Sequence, residues 1–232
     1  MAQRVETLCH RTQRTAMDLP FTRDAFLDVF ERINTALWPG HLGAYALGAL
    51  AFGFALRGGP RATRTVPALL AGAWAFVGLA YHLAFFSSVN PAARLFALAF
   101  VLQALLFAWA SAARLVHFGW SHKPRAAVGL VVVAYAAVVY PLVGAALGRG
   151  WPHTPAFGIA PCPTTLFTWG VLLLARGPVP LPLLVIPALW SAIGFTAALG
   201  LGIREDLGLA AAALAGLVAL AWPRRWERSA QP

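Results

Sequence analysis

Seven apolar segments contain no Asp, Glu, Lys or Arg, and together they occupy most of the chain after residue 36. Six have 19 to 23 residues, close to the roughly 20 that a helix needs to cross the hydrocarbon core of a bilayer. A soluble domain could not bury the 59% of residues that are hydrophobic in this 232-residue chain. The sequence therefore predicts an all-α membrane protein with seven transmembrane helices. The segments are Leu37–Leu56, Val66–Phe86, Leu95–Ala113, Ala126–Gly148, Ala156–Ala175, Val179–Leu199 and Leu207–Trp222.

The fifth segment, Ala156–Ala175, is interrupted by Pro161-Cys162-Pro163. Proline lacks an amide proton and clashes with the preceding turn, so two prolines around one residue should break a regular helix. Thr164 or Thr165 could then cap a half-helix of about twelve residues, Thr164–Ala175. Such broken spans are typical of transporters that expose backbone groups to a solute.

The residues before the first apolar segment divide into two parts. Residues 1–18 are a polar extension without the apolar stretch of a signal peptide, and Met17 is an alternative start. From Thr22, an apolar face of Phe26, Val29, Phe30 and Ile33 lies opposite charged residues, which predicts an amphipathic helix lying at the membrane interface. Residues 19–232 are expected to form a single transmembrane domain.

The charged residues between the segments predict the orientation. With seven crossings, ten basic residues fall on one side and fewer on the other, and the richer side should be cytoplasmic. The N-terminus is then outside and the C-terminus inside.

The alanine-rich composition, with one lysine among 18 basic residues, is typical of a GC-rich bacterium and places the protein in its inner membrane. Because the basic residues lie between apolar runs, the net charge of +10 indicates a lipid bilayer partner and not nucleic acid. The ten basic residues on the predicted cytoplasmic side are Arg57, Arg61, Arg64, Arg114, Lys123, Arg125, Arg176, Arg224, Arg225 and Arg228.

This topology places several polar side chains near the outer leaflet. They predict a pocket that could receive a small-molecule solute, and its candidate residues are Tyr81, His82, Asn90, Cys162, Thr164 and Thr165. Each also has a structural interpretation: His82 as a hydrogen-bonded interhelical residue, Asn90-Pro91 as a turn, and Cys162 as a buried, inert thiol. Glu205 and Asp206 are interpreted as charges at the N-terminus of the last helix.

A metal site is not favoured. Thiolate and imidazole bind copper(I) or zinc, but His82 and Cys162 supply only two ligands. No cofactor is indicated, because the chain has no HExxH, P-loop or GxSxG motif.

Three functions remain open. The first is a small-solute permease or solute-binding membrane protein, with Pro161, Pro163 and Pro187 as hinges. The second is a non-catalytic scaffold or accessory subunit, in which the same residues only pack and cap helices. The third is an intramembrane enzyme, which would need His82 and Cys162 within hydrogen-bonding distance. The oligomeric state is not indicated.

Four stretches carry a resemblance: TRDAFLDVFERINTALWP (22–39), YHLAFFSSVNPAA (81–93), FGIAPCPTTLFTWG (157–170) and VIPALWSAIG (185–194). Together they resemble an uncharacterised bacterial multi-pass membrane protein family, a domain of unknown function of which some members are loosely labelled permease. The resemblance extends from about Leu19 onward and implies an integral membrane protein. It implies no substrate and no catalytic residue.

Overall fold

The computed structural model describes residues 20–121 and 124–221, and these form eight helices without a β-strand. The helices are α1 (Arg23–Leu37), α2 (Gly40–Arg57), α3 (Gly59–Ser88), α4 (Ala93–Ala112), α5 (Pro124–Ala146), α6 (Pro161–Leu172), α7 (Pro182–Leu201) and α8 (Leu207–Ala221). The predicted extension over residues 1–18 and the basic residues Lys123, Arg224, Arg225 and Arg228 lie outside the described residues.

Four of the described helices, α3, α4, α5 and α7, are long and apolar enough to cross a membrane. A fifth crossing is added if α1 and α2, which meet at 90°, count as one bent span. The all-helical, membrane-type fold predicted from the sequence is therefore confirmed, while the predicted number of seven spans is not. Helix α6 has 12 residues and the described part of α8 has 15, both shorter than a bilayer core requires.

Helix α6 lies at the centre of the bundle. Every residue from 157 to 175 is buried, as expected for a helix that is apolar on all sides. Two tryptophan hydrogen bonds join it to its neighbours: Trp74 Nε1 of α3 donates to Thr168 Oγ1 (2.9 Å), and Trp169 Nε1 donates to Ser191 Oγ of α7 (3.1 Å). The central segment identified from the sequence is thus the element that the other helices surround.

The start of α6 differs from the prediction. The helix begins at Pro161, not at Thr164, and Pro163 lies in its first turn. Prolines are tolerated there because the first amide groups of a helix have no intrahelical acceptor. Pro161 and Pro163 therefore begin a helix after a turn and do not interrupt one. Thr164 lies inside the first turn, where its hydroxyl donates to Ala160 O (2.7 Å) and accepts from Gly158 N (2.9 Å).

Helix α1 agrees with its sequence pattern. Thr22 is its N-cap and accepts from Ala25 N (3.2 Å), and Val29, Phe30, Ile33 and Asn34 form its buried face. The buried face packs on the bundle, because Phe30 stacks on Tyr81 with ring centroids 5.5 Å apart. Opposite, Asp24 and Asp28 are exposed.

Loop contacts define two ends of the bundle. At the first, which we call the site end, Asn34 Nδ2 donates to Pro152 O (2.6 Å) and Thr154 O (2.8 Å). At the second, the basic end, Trp120 N donates to Leu56 O (2.8 Å) and Arg176 N donates to His117 O (2.7 Å). Consecutive loops alternate between the two ends.

Helices α5 and α6 approach closely at two glycines. A Cβ added to Gly170 would lie 2.7 Å from Val133 Cγ2 and 2.8 Å from Val133 N, and one added to Gly129 would lie 2.8 Å from Gly170 O. Because backbone atoms form part of this contact, the helices would have to separate to admit a methyl group.

We therefore expect Gly170→Ala to lower the stability of the folded protein by about 1–3 kcal/mol, although alanine is the better helix former. Gly72→Ala is the matched control, since nothing lies within 4 Å of its added Cβ. Thermal unfolding in detergent measures the stability of the two variants. Equal melting temperatures for the two variants would contradict the close α5–α6 contact.

Candidate functional site

A cavity of about 310 Å³ lies at the site end, between α1 and the ends of α3, α5, α6 and α7. We call it the site cavity. Most of its wall is aromatic and aliphatic, with a few polar groups, which is the usual composition of a small-molecule site. Its aromatic residues are Phe21, Phe26, Phe30, Tyr81, Phe86, Phe96, Tyr140 and Trp190.

Asp206 is the charged residue that lines this cavity. It ends the short 3₁₀ turn Arg204–Asp206 between α7 and α8 and is 4% exposed. Tyr140 Oη donates to Asp206 Oδ1 at 2.5 Å. Burial raises the pKa of Asp206 to about 7, and Glu205 acts in the same direction, while Tyr140, Cys162 and Arg149 oppose the shift. The carboxyl group can therefore change its charge near neutral pH.

A buried ion pair lies beside the cavity. Arg149 Nη2 is 2.5 Å from Glu205 Oε2, and their side chains are 7% and 0% exposed. Tyr135 Oη donates to the backbone oxygen of Glu205 (2.6 Å), and Thr154 Oγ1 donates to that of Arg149. These contacts connect the loop after α5 to the turn before α8. The charge of Arg149 is neutralised by Glu205 and not by Asp206.

Two widened helical turns position the tyrosines. Residues Val77–Phe85 of α3 and Tyr135–Val139 of α5 are π-helical. Such turns rotate the following side chains relative to a regular helix and are frequent at functional sites. The first contains Tyr81 and His82, and the second ends immediately before Tyr140.

The structure brings together three of the six predicted pocket residues. Tyr81, Asn90 and Cys162 line the site cavity, with Pro161 beside them. Thr164 and Thr165 lie within α6 and outside the cavity lining. Pro187, a predicted hinge, lies inside α7, where Ser191 Oγ donates to its carbonyl oxygen (2.8 Å).

His82 lies behind the cavity wall and is completely buried. Its ring packs 4.6 Å from the centroid of Phe100 and 4.9 Å from that of Trp190. Neither ring nitrogen has a hydrogen-bond partner among the described residues. The interhelical hydrogen bond expected for His82 is therefore not formed, and neither is the His82–Cys162 contact that an enzyme would need.

No group of three or more His, Cys, Asp or Glu side chains with metal-binding geometry occurs within residues 20–121 and 124–221. His82 and Cys162 are thus not joined by a third ligand in this part of the chain.

Sequence reasoning missed the role of four residues: Arg149, Glu205, Asp206 and Tyr140. From the sequence, Arg149 only counts among the basic residues of the less basic side of the membrane, and the two acids are interpreted as charges at a helix N-terminus. Their pairing depends on bringing together loops that are 56 residues apart. One signal was available, because the chain has only 8 acidic residues and Glu205-Asp206 are the ones next to a transmembrane-type segment.

A second cavity, of about 460 Å³, lies between α2, α3 and the start of α6. Its lining is apolar throughout and includes Leu47, Leu69, Phe76, Phe157 and Phe167. None of the described residues that line it has a polar side chain that could orient a solute.

The Arg149–Glu205 pair yields a direct test. Removing one partner leaves a buried charge uncompensated, so Arg149→Met or Glu205→Gln should each cost about 3–5 kcal/mol, while the double variant should cost much less than the sum. Thermal unfolding of the wild type, the two single variants and the double variant in detergent measures this double-mutant cycle. The exposed neighbour Arg204→Met is the control. If both single variants unfold at the same temperature as Arg204→Met, the buried pair does not exist.

The comparisons with known proteins give one match. The model of the family of unknown function DUF6064 matches residues 23–231. No curated protein and no solved structure matches the chain. The chain's own apolar helices indicate a membrane protein. Because the family match covers nearly the whole sequence, this chain belongs to DUF6064, a family of unknown function.

Proposed function

We propose that the protein is a seven-span bacterial inner-membrane protein that binds a small solute in the site cavity, as a permease or solute-binding protein would. Residues 19–232 would form its one domain. The alternation of loops between the site end and the basic end supports seven antiparallel crossings by α2–α8. The short helix α6 is compatible with this count, because residues 157–175 are enclosed by protein and need not match the lipid thickness.

The charges at the two ends support an orientation. The basic end carries six described arginines and no described acidic residue: Arg57, Arg61, Arg64, Arg114, Arg125 and Arg176. The site end carries five arginines and five acids among the described residues: Arg23, Arg32, Arg94, Arg149, Arg204, Asp24, Asp28, Glu31, Glu205 and Asp206. The rule that cytoplasmic loops are richer in Arg and Lys then places the basic end in the cytoplasm and the site cavity outside.

Cysteine labelling tests this orientation. In a background of Cys9→Ser and Cys162→Ser, Pro91→Cys reports the site end and Ala113→Cys reports the basic end; both positions are exposed. A membrane-impermeant maleimide should label position 91 in intact spheroplasts and position 113 only after permeabilisation. The reverse pattern would contradict the proposed topology.

The observation that carries the binding function is the composition of the site cavity. Aromatic rings surround a carboxyl group, Asp206, which interacts with Tyr140 and Cys162 and lies within the cavity lining. Burying a carboxyl group among aromatic and aliphatic side chains costs free energy. A bound solute that interacts with the carboxyl group would offset this cost.

Helix α1 covers the cavity from the outside. Buried Asn34 anchors its C-terminal end to the loop after α5, and the exposed attachments of the helix support a role as a movable cover. Phe26 and Phe30 contribute to the cavity wall. On the surface, α1 is held by two exposed contacts: Arg32 Nη1 donates to Ser88 Oγ (3.2 Å), and Glu31 Oε2 lies 3.3 Å from His153 Nε2. Exposed contacts of this kind contribute about 0–1 kcal/mol each. Small displacements of α1 could admit a solute, and Pro187 stays the candidate hinge for any larger motion.

The alternative of a non-catalytic scaffold or accessory subunit predicts an unoccupied cavity that serves only packing. The intramembrane enzyme has less support, because the His82 ring nitrogens make no hydrogen bond to Cys162.

A cavity-filling variant separates solute binding from a scaffold role. Ala197 lines the site cavity and Ala73 lines the apolar cavity. We expect Ala197→Phe to remove a small molecule that co-purifies with the wild type, since it occupies the same space, and Ala73→Phe to retain it. Native mass spectrometry of protein extracted from its own membranes measures the bound mass.

Two results would contradict solute binding. One is a wild type with no bound molecule and an Ala197→Phe variant of higher thermal stability, which is the result expected for a scaffold. The other is a molecule that Ala197→Phe retains in full.

A further inference from the structure

The charge of the site cavity indicates which kind of solute would bind there. Among the described residues that line it, Asp206 is the one charged side chain, and none is Arg, Lys or His. A cation that interacts with Asp206, Arg149, is held at 2.5 Å by Glu205. The cavity therefore carries a negative charge, when Asp206 is ionised, that no described lining residue neutralises with a direct ion pair.

The aromatic rings of the cavity favour the same kind of solute. Eight of its lining residues are Phe, Tyr or Trp. Several of them form one cluster: Tyr81 stacks on Phe86 with centroids 5.5 Å apart, and Phe21 meets Phe86 edge-on at 5.3 Å. Aromatic rings attract cations through their quadrupole, and cages of such rings bind quaternary ammonium groups. An anion would meet both the rings and Asp206 unfavourably.

A hydrogen-bond donor in the cavity wall has only a weak acceptor. Trp190 lines the cavity, is 7% exposed, and its side chain interacts with the Cys162 sulfur, with no stronger acceptor for Nε1 among the described residues. Because sulfur accepts hydrogen bonds weakly, this donor is incompletely satisfied. A ligand with an oxygen acceptor could satisfy it, whereas a purely hydrocarbon ligand could not.

We propose that the site cavity binds a small organic cation that also carries a hydrogen-bond acceptor, with Asp206 as its counter-ion, the surrounding aromatic rings as its cage and Trp190 Nε1 as its donor. The inference rests on the proposed solute-binding function and names the chemical class of the solute.

The ionisation of Asp206 gives the proposal a pH dependence. A cation binds the ionised carboxylate, and the pKa of Asp206 in the empty cavity is raised to about 7 by burial. Affinity for a permanent cation should therefore fall as pH falls through 7, by about tenfold between pH 8 and pH 6. The titratable and charged groups that interact with Asp206 are Tyr81 on α3, Tyr135 and Tyr140 on α5, Arg149, Cys162 on α6 and Glu205.

Three probes of matched shape test the proposal: choline, 3,3-dimethylbutan-1-ol and 3,3-dimethylbutanoate, which are cationic, neutral and anionic. Isothermal titration of the full-length detergent-purified protein at pH 8 should show choline binding roughly 30-fold more tightly than the neutral alcohol, as expected for a buried charge pair. The anion should bind more weakly than either. Because the charge of choline does not titrate, its loss of affinity at pH 6 would report on the protein.

Two variants complete the experiment. Asp206→Asn keeps the shape of the side chain and should lower choline affinity to that of the neutral alcohol and remove the pH dependence. Asp28→Asn makes the same charge change on the exposed face of α1 and should leave the choline affinity and its pH dependence unchanged. A thermal unfolding curve checks that Asp206→Asn is folded. The pH dependence of choline binding is measured on the wild type, so it tests the proposal even if this variant does not fold.

The outcomes distinguish the two proposals. If the alcohol binds as tightly as choline in both the wild type and Asp206→Asn, the cation proposal is wrong while solute binding stands. If choline affinity is independent of pH, Asp206 is not the counter-ion. If none of the three probes binds, the cation proposal is contradicted, while the Ala197→Phe experiment decides separately whether the cavity binds a solute.

Discussion

The enclosure of residues 157–175 is the constraint on which the rest of the structure depends. A segment that is buried on every side needs neighbours on every side, and α2, α3, α5, α7 and α8 supply them. Polar groups inside such a bundle need internal partners. The Trp74–Thr168 and Trp169–Ser191 hydrogen bonds satisfy two indole N–H groups and join α6 to two different helices, α3 and α7.

The same enclosure positions the site cavity. Helix α6 begins at Pro161, so Cys162 lies at the top of the central helix, where the π-helical turn of α3 and the end of α5 bring Tyr81 and Tyr140. The buried Arg149–Glu205 pair fastens the loop after α5 to the turn before α8. Asp206, the next residue in that turn, is thereby held with its carboxyl group in the cavity. The ion pair therefore has a positioning role for the adjacent acid.

The features that could be predicted from the sequence are those that depend on local pattern. The apolar face of Phe26, Val29, Phe30 and Ile33 predicts the buried side of α1, and Thr22 predicts its cap. The polar residues Gln103 and Ser191, each in an apolar segment, predict interhelical hydrogen bonds, and Gln103 Nε2 does donate to Leu183 O (3.2 Å). A lone polar group in an apolar helix has few other partners, which is why this inference succeeds.

The features that could not be predicted depend on contacts between distant parts of the chain. The sequence places a helix break at Pro161 and Pro163, whereas their position in a first turn becomes clear only when the turn at Gly158 is known. The π-helical turn at Val77–Phe85 contains no proline. The one at Tyr135–Val139 is followed by Pro141, which lacks an amide proton and disrupts the preceding turn, but the sequence does not show that the disruption takes a π-helical form. The pairing of Arg149 with Glu205, and the burial that raises the pKa of Asp206, are likewise properties of the tertiary structure.

The central claim is that the site cavity is a binding site, and density maps of the protein in a lipid nanodisc test it most directly. An electron cryomicroscopy map of the protein purified from its native membrane, with an antibody fragment to add mass, would resolve the space between α1 and α7. We expect non-protein density in contact with the Asp206 carboxyl group and the Trp190 indole. A cavity filled by the protein's own side chains, with Asp206 paired to one of them, would contradict the account.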